Sequence, residues 1–186
     1  MNGTAKRLLD VALAGMGLLV LSPVLVALAA LVRLKLGRPV LFRQTRPGLD
    51  GVPFEMIKFR TMTDQRDDAG RLRPDEERLT SFGRFLRATS ADELPELWNV
   101  LKGEMSLVGP RPPLPCEVEK YTAHEWKRLS VQPGITCFWQ IGGRSNVPFA
   151  QWVELDLEYI RRQSLWLDLR ILLLTIPAVL LGRGAR

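Results

Sequence analysis

VALAGMGLLVLSPVLVALAALV, Val11 to Val32, is a run of 22 residues without a charge, long enough to cross a hydrocarbon core of roughly 30 Å. Ser22-Pro23 stands at its centre. Proline removes a backbone donor and clashes with the carbonyl four residues earlier, so it bends or breaks a helix there. The Ser22 hydroxyl can take up the carbonyl so freed, which a bend in lipid requires. Lys6 and Arg7 precede the run, and Arg33, Lys35, Arg38, Arg43 and Arg46 follow it with no acid among them. Positive flanks favour the cytoplasmic side of a membrane. A straight span satisfies one flank; a helix folded back at Ser22-Pro23 satisfies both, each half reaching about 17 Å at 1.5 Å per residue. The expectation is a re-entrant helix-break-helix hairpin, with a proline-kinked transmembrane anchor as the alternative. A cleaved signal peptide fits poorly, because Arg33 and Lys35 follow directly and no small-residue cleavage site precedes a polar start.

The other end of the chain carries a second apolar run, Ile171 to Leu181, too short to span. Trp166, Arg170 and Arg183 flank it as interfacial anchors do, which predicts an amphipathic helix lying in the interface; a buried core helix is the alternative. At 186 residues, 46% hydrophobic and 25% charged, one folded domain is expected and disorder is not. The net charge of +6 points to anionic partners. Cys116, Cys137 and the lone His124 have no metal-ligand spacing and form no disulfide framework. The cysteines read as reduced and structural, and His124 as a surface residue.

Between the two ends, Val40–Thr45 and Val52–Met62 are rich in β-formers and are separated by RPGLDG, whose Pro-Gly and Asp-Gly steps predict a hairpin. Alternation along PFEMIKFRTM places Ile57 and Phe59 on one face and Lys58 and Arg60 on the other. Two cations on one strand face suit phosphate, although on the strand alone a solvated face is the stronger reading. The charged stretch Thr63–Thr80 reads as a surface loop. Glu117–Leu129 and Pro148–Gln163 read as helices, the second with a Trp152, Leu155, Tyr159 stripe and Asn146 as a cap. No internal repeat, dinucleotide fingerprint or P-loop is present.

The chemistry rests on ATSADELPELWNVLKGEMSLVGPRP, Ala88 to Pro112. Asp92 and Glu93 stand just ahead of Pro95, which is tolerated in a first helical turn because those N–H groups lack partners anyway. A helix cap, with Asp92 or Ser90 as the capping residue, explains the pair. Phosphoryl chemistry explains it too. A helix N-terminus attracts anions and would keep Asp92 ionised, as a carboxylate nucleophile must be. A carboxylate attacking phosphorus needs its surroundings neutralised by a divalent cation and guanidinium groups, and Lys58, Arg60, Arg87, Arg111 and Arg144 are the candidates.

KFRTM, TSADELPELWNVLKGEMSLVGPRP, PGITCFWQIGGR and LDLEYIRRQSLWLDLRILLLTI, in this order, resemble the bacterial sugar transferases, the monotopic polyprenyl-phosphate phosphoglycosyl transferases. The likeness runs from about Lys6 to the C-terminus, least in the charged loop, and it is to the small single-domain form. It implies an α+β, mainly helical monotopic fold: a re-entrant membrane hairpin over 6–36 broken at Ser22 and Pro23, a cytoplasmic catalytic part with a small β-hairpin or sheet over 37–164, and an interfacial amphipathic helix over 165–182. It also implies transfer of a sugar 1-phosphate from a UDP-sugar to undecaprenyl phosphate with release of UMP, the first membrane step of a glycoconjugate such as exopolysaccharide, capsule or O-antigen. Asp92 matches the proposed nucleophile and Glu93 the second carboxylate, the two serving a Mg²⁺ cofactor. Lys58, Arg87, Arg111 and Arg144 match phosphate- or nucleotide-binding positions, and Arg60 is retained from the strand alternation. Glu96 departs from the pattern, since these proteins often carry Gln there; it adds negative charge beside the site. The expected partners are the UDP-sugar, undecaprenyl phosphate and membrane lipids at the cytoplasmic face of the bacterial inner membrane, with no nucleic acid; apolar surface permits a homodimer. The contrasting reading is a non-catalytic membrane-bound scaffold for glycan assembly.

Overall fold

The structure, a computed structural model, describes residues 3–138 and 148–180. Helix α1, Gly3–Leu36, is one continuous helix of 34 residues with Pro23 inside it. The expected break is therefore not an interruption of the helix. Its local chemistry is as anticipated: the Ser22 hydroxyl donates to the Leu19 carbonyl at 2.8 Å, the acceptor that Pro23, lacking an N–H, cannot serve. Lys6, Asp10 and Ala14, then Leu28, Val32 and Leu36, are buried along α1, a spacing of four that marks one helix face. Between these two groups Leu19, Val20 and Val26 are about 70% exposed.

Both buried ends of α1 rest on the same hairpin. Strands β1, Leu41–Pro47, and β2, Pro53–Phe59, pair antiparallel from Leu41 against Phe59 to Pro47 against Pro53. The turn between them takes Asp50 and Gly51 through positive φ (52° and 76°), the conformation that an Asp-Gly pair tolerates. Phe54 and Met56 of β2 join the core around Ala14, and Phe59 joins the core around Leu28, Val32 and Leu36. The charged stretch after β2 is largely exposed, as expected, and holds only a single helical turn, α2, Asp75–Arg78.

Helix α3, Ser81–Ala88, opens on a Thr80 side-chain cap and leads through a 3₁₀ turn at Ala91–Glu93 into α4, Glu96–Lys102. The fully buried Asn99 of α4 accepts the Ile57 N–H and donates to the Glu55 carbonyl. It thereby satisfies the edge of β2 that faces away from β1. Arg7 of α1 donates to the Val100 and Leu101 carbonyls, the exposed C-terminal acceptors of α4.

A second pairing was not anticipated. Strand β3, Ser106–Val108, runs parallel to β4, Gly134–Thr136. Gly109 and Gly134 pass so closely that a Cβ on either would strike the other strand's backbone. That contact fixes where the following Pro110-Arg111-Pro112 turn emerges. Between these strands the expected helix over Glu117–Leu129 is absent as such: α5, Pro115–Val118, stops after one turn, and a 3₁₀ segment occupies Glu125–Ser130. Thr122 is the reason. Its N–H and hydroxyl bind the Glu125 carboxylate while its hydroxyl accepts the Glu125 N–H, a capping box that starts a new helical segment.

Helix α6, Phe149–Arg162, forms as expected; the anticipated Asn146 cap lies outside the described residues. Helix α7, Leu165–Leu180, buries Asp168 and Ile171 while Trp166, Leu173 and Ile176 stay exposed. One face of this tail is buried, as a core helix expects, and the other exposes apolar side chains. Cys116 is exposed and Cys137 is buried, each outside any disulfide among the described residues; His124 is exposed beside Glu154.

Candidate active site

A cavity of about 830 Å³ opens beside β2, within the range of small-molecule sites. Each wall brings a different part of the chain. Alternation along β2 aims Lys58, and Arg60 just beyond its end, into the cavity; α3 contributes Arg87, and the turn after β3 contributes Arg111. Asp92 and Glu93 come from the 3₁₀ turn. Ser90, at φ 51°, makes the reversal that delivers them, a left-handed position rarely taken by residues other than glycine and often found at functional sites.

The carboxylate pair is not a helix cap. The N-cap position of the 3₁₀ turn is Ser90 and that of α4 is Pro95, and neither helix start receives a side-chain cap bond. Pro95 sits where its missing N–H costs nothing. The carboxylates face the cations instead. Lys58 Nζ lies 2.7 Å from Glu93 Oε1 and 3.1 Å from Glu96 Oε1, and Arg111 reaches Glu93 Oε1 at 3.3 and 3.4 Å. Burial alone would raise the Glu93 pKa; the charges of Arg111 and Lys58 outweigh it and hold that carboxyl below its usual range.

Its neighbours behave differently. Asp92 is 8% exposed, and burial, then the charge of Glu93, push its pKa up against the opposing pull of Lys58 and Arg87. The expected effect of a helix N-terminus, a carboxylate kept readily ionised, is thus reversed: a 3₁₀ turn beside a second carboxylate replaces the regular helix start. Glu96 is 3% exposed, and burial, against the charge of Lys58 and with that of Glu93, pushes it up to about 7. Its Oε1 is close enough to Lys58 for an ion pair yet has no aligned hydrogen bond. A buried oxygen left so is costly.

The remaining candidates divide. Arg87 donates to the Thr61 hydroxyl at 3.2 Å and keeps its place on the cavity wall. Arg60 also borders the cavity, but its donors are directed at the Met62 and Arg38 carbonyls, and it pairs with Asp64; those contacts tie the segment after α1 to the end of β2. Arg144 lies outside the described residues. Sequence reasoning passed over Gln44 and Arg46, which line the cavity from β1. In the sequence Arg46 reads as a basic flank of the apolar helix; its two-residue spacing from Gln44 is the signal that sets both on one strand face.

Among the described residues no three His, Cys, Asp or Glu side chains converge as a ready-made metal cage. The donor set still suits Mg²⁺, which is commonly held by one or two carboxylates together with substrate phosphates and water. Asp92 and Glu93 supply adjacent oxygens on the cavity wall.

Residues 1–182 match the bacterial sugar transferase family. The chain is 50% identical to the uncharacterized sugar transferase EpsL of Bacillus subtilis, across 96% of this chain and 89% of that protein. It is 45% identical to the galactosyl transferase CpsE of Streptococcus agalactiae, across 98% of this chain but 43% of the larger relative. It is 42% identical to the UDP-glucose:undecaprenyl-phosphate glucose-1-phosphate transferase of Caulobacter vibrioides, across 94% of this chain and 69% of that protein. These matches run through the apolar helix and the cavity alike, and they make the protein a transferase: the chain belongs to the bacterial sugar transferase family.

Proposed function

We propose that this enzyme transfers a sugar 1-phosphate from a UDP-sugar to undecaprenyl phosphate and releases UMP, with Asp92 as a covalent nucleophile. The observation that carries the reading is the position of Asp92: a buried carboxylate on the wall of a large cavity, beside Glu93, with Lys58, Arg87 and Arg111 on the same walls. The chemistry named for the Caulobacter relative needs such a place. An Asp92 oxygen attacks the phosphorus that bears the sugar. The bond from that phosphorus to the bridging oxygen breaks, UMP leaves, and an aspartyl phosphosugar remains. A phosphate oxygen of the lipid then attacks the same phosphorus, Asp92 departs as a carboxylate, and the lipid diphosphosugar is formed.

Lys58 and Arg111 counter the charge that the diphosphate brings. Arg111 is suited to turn from protein to substrate, since its side chain is 43% exposed and its contacts to Glu93 are long. Asp92 and Glu93 would hold a Mg²⁺, which when bound screens phosphate charge from the attacking carboxylate.

The membrane arrangement belongs to the same reading. Lys6 and Arg7 at one end of α1, and Leu36 at the other, are fixed to one body, and the apolar residues between them stay uncovered. This supports a reading in which both flanks lie on one side, the cytoplasmic face of the inner membrane, and the middle of α1 bends at Ser22-Pro23 within the lipid. The exposed apolar face of α7 lies at the same interface. The catalytic cavity is then held near the headgroup plane, where the lipid phosphate lies.

The test is UMP release by purified protein from UDP-glucose, UDP-galactose and N-acetylated UDP-sugars, with undecaprenyl phosphate and Mg²⁺ present. UMP formed with at least one donor is the expected result. Release of UDP instead would make the enzyme a glycosyl transferase of another type. No nucleotide release from folded, membrane-inserted protein would leave a scaffold.

A further inference from the structure

The cavity is bordered by two guanidinium groups that have no carboxylate within ion-pair distance among the described residues, Arg87 and Arg46. Arg46 is the more elaborately held. Gln44, two residues earlier and so on the same strand face, accepts from both its Nε (3.1 Å) and its Nη2 (2.8 Å). The Pro112 carbonyl accepts from Nη1 at 3.1 Å. The fork is fixed at both edges by neutral acceptors, so its orientation is set, and the carboxylates that partly counter its charge, Glu117 and Glu96, stand beyond ion-pair distance.

Its neighbour increases that charge. Pro112 directly follows Arg111, and the two guanidinium groups, both on the cavity wall, lie close enough to repel. Burial, and then the charge of Arg111, lower the Arg46 pKa. Two like charges held together in a half-buried place are unfavourable until an anion lies between them. A planar fork with preset orientation is the side chain that binds phosphate in a fixed geometry.

The order of contacts indicates which phosphate. Lys58 and Arg111 meet at Glu93, next to Asp92. Arg46 lines the same cavity but makes no bond to Asp92 or Glu93; its contacts are Gln44 and the carbonyl of the residue after Arg111, one step further along the chain of contacts from the attacking carboxylate. We propose that Arg46, positioned by Gln44 and acting with Arg111, binds the nucleoside-side phosphate of the UDP-sugar, the one that departs as UMP. This rests on the reading of the cavity as a diphosphate site, and it assigns to β1 a task in leaving-group recognition. It also makes Arg46 dispensable for the lipid acceptor, whose phosphate approaches only after UMP has gone.

The experiment measures UMP and uridine binding by calorimetry on the full chain in detergent, for the wild type, Arg46→Gln and Arg46→Lys. It is joined to the KM values for donor and for undecaprenyl phosphate. Loss of a charge-assisted bidentate contact predicts UMP binding weakened at least about tenfold in Arg46→Gln, a similar rise in donor KM, and a lipid KM within about twofold. Arg46→Lys, which keeps the charge without the fork, should lie between and serves alone if Arg46→Gln does not fold. UMP affinity unchanged in a folded variant, or uridine weakened as much as UMP, overturns the proposal. Wild type that binds no UMP overturns it too. Wild type that binds UMP through Arg46 yet turns over no UDP-sugar keeps this assignment and removes the catalytic reading; turnover with unaltered UMP binding in Arg46→Gln does the reverse.

Discussion

Two of the buried charge clusters among the described residues, each built around one lysine shared with carboxylates, are finished differently. In the first, Lys6 Nζ is 2.7 Å from Asp168 Oδ2, and the Tyr159 hydroxyl donates to Asp168 Oδ1 at 2.7 Å. Asp10 accepts from the Ser106 hydroxyl at 2.8 Å and from the Leu107 N–H at 3.1 Å. All four carboxylate oxygens have donors, and the cluster ties α1, β3, α6 and α7 together. In the second, Lys58 serves two carboxylates at once, and one oxygen of Glu96 lacks an aligned partner. A satisfied network in low dielectric rigidifies; an unsatisfied one is held at a cost that a ligand can relieve. The difference separates a clasp from a site.

The sharpest way to test that separation is Asp92→Asn. In the second cluster the loss should fall on chemistry: UMP release reduced at least about 10³-fold, with the melting temperature unchanged or raised, because burial already disfavours the ionised Asp92. Activity within tenfold of wild type would end the nucleophile assignment.

In the first cluster the loss should fall on stability. Lys6→Met leaves Asp168 buried with only part of its partners, and breaking a buried pair in this way costs about 3–5 kcal/mol. The check is thermal unfolding in detergent, together with activity per folded molecule, which should hold. Lys6→Met combined with Asp168→Leu should recover part of the loss, since removing both partners of a pair is far milder than removing one. A stable Lys6→Met single variant would mean that the clasp does not bind the helix ends to the body.

The two clusters were unequally legible in the sequence, for a physical reason. The site residues lie in short local patterns: a two-residue alternation for Lys58, adjacent carboxylates before a proline, a Gly-Pro-Arg-Pro turn. The clasp is made of contacts 102 and 162 residues apart, which no local period encodes. Lys6 therefore read as a membrane-flanking charge, although it is 7% exposed and ion-paired. The β3–β4 pair was invisible for the same reason, being three-residue strands joined across a long separation. The hairpin was legible because its turn chemistry and alternation are contiguous. Ser22-Pro23 was half legible: the hydroxyl-to-carbonyl bond follows from proline's missing donor, but the path of the helix depends on what packs along it. Arg46 was misread because a basic residue near a membrane run has a ready explanation, and only its contacts with Gln44 and Pro112 give it another.

The mildest prediction concerns Glu96, and it asks whether the second cluster is truly unsatisfied. Its folded pKa of about 7 stands above the ordinary 4.5. Between those values the unfolded chain has lost the proton that the folded chain retains, so folding takes up protons and stability falls as pH rises through the window. Below about 4.5 the penalty is absent; above about 7 it is complete. Glu96→Gln removes it, so the variant should gain little at pH 5 and most at pH 8. The ceiling is about 3 kcal/mol, from 1.36 kcal/mol per pH unit. Melting curves of both proteins at the two pH values decide the point. A variant that loses more stability at pH 8 than at pH 5 would show that ionised Glu96 and Lys58 stabilise each other as Lys6 and Asp168 do. The unaligned oxygen would then carry no cost, and the two clusters would differ only in their access to the cavity.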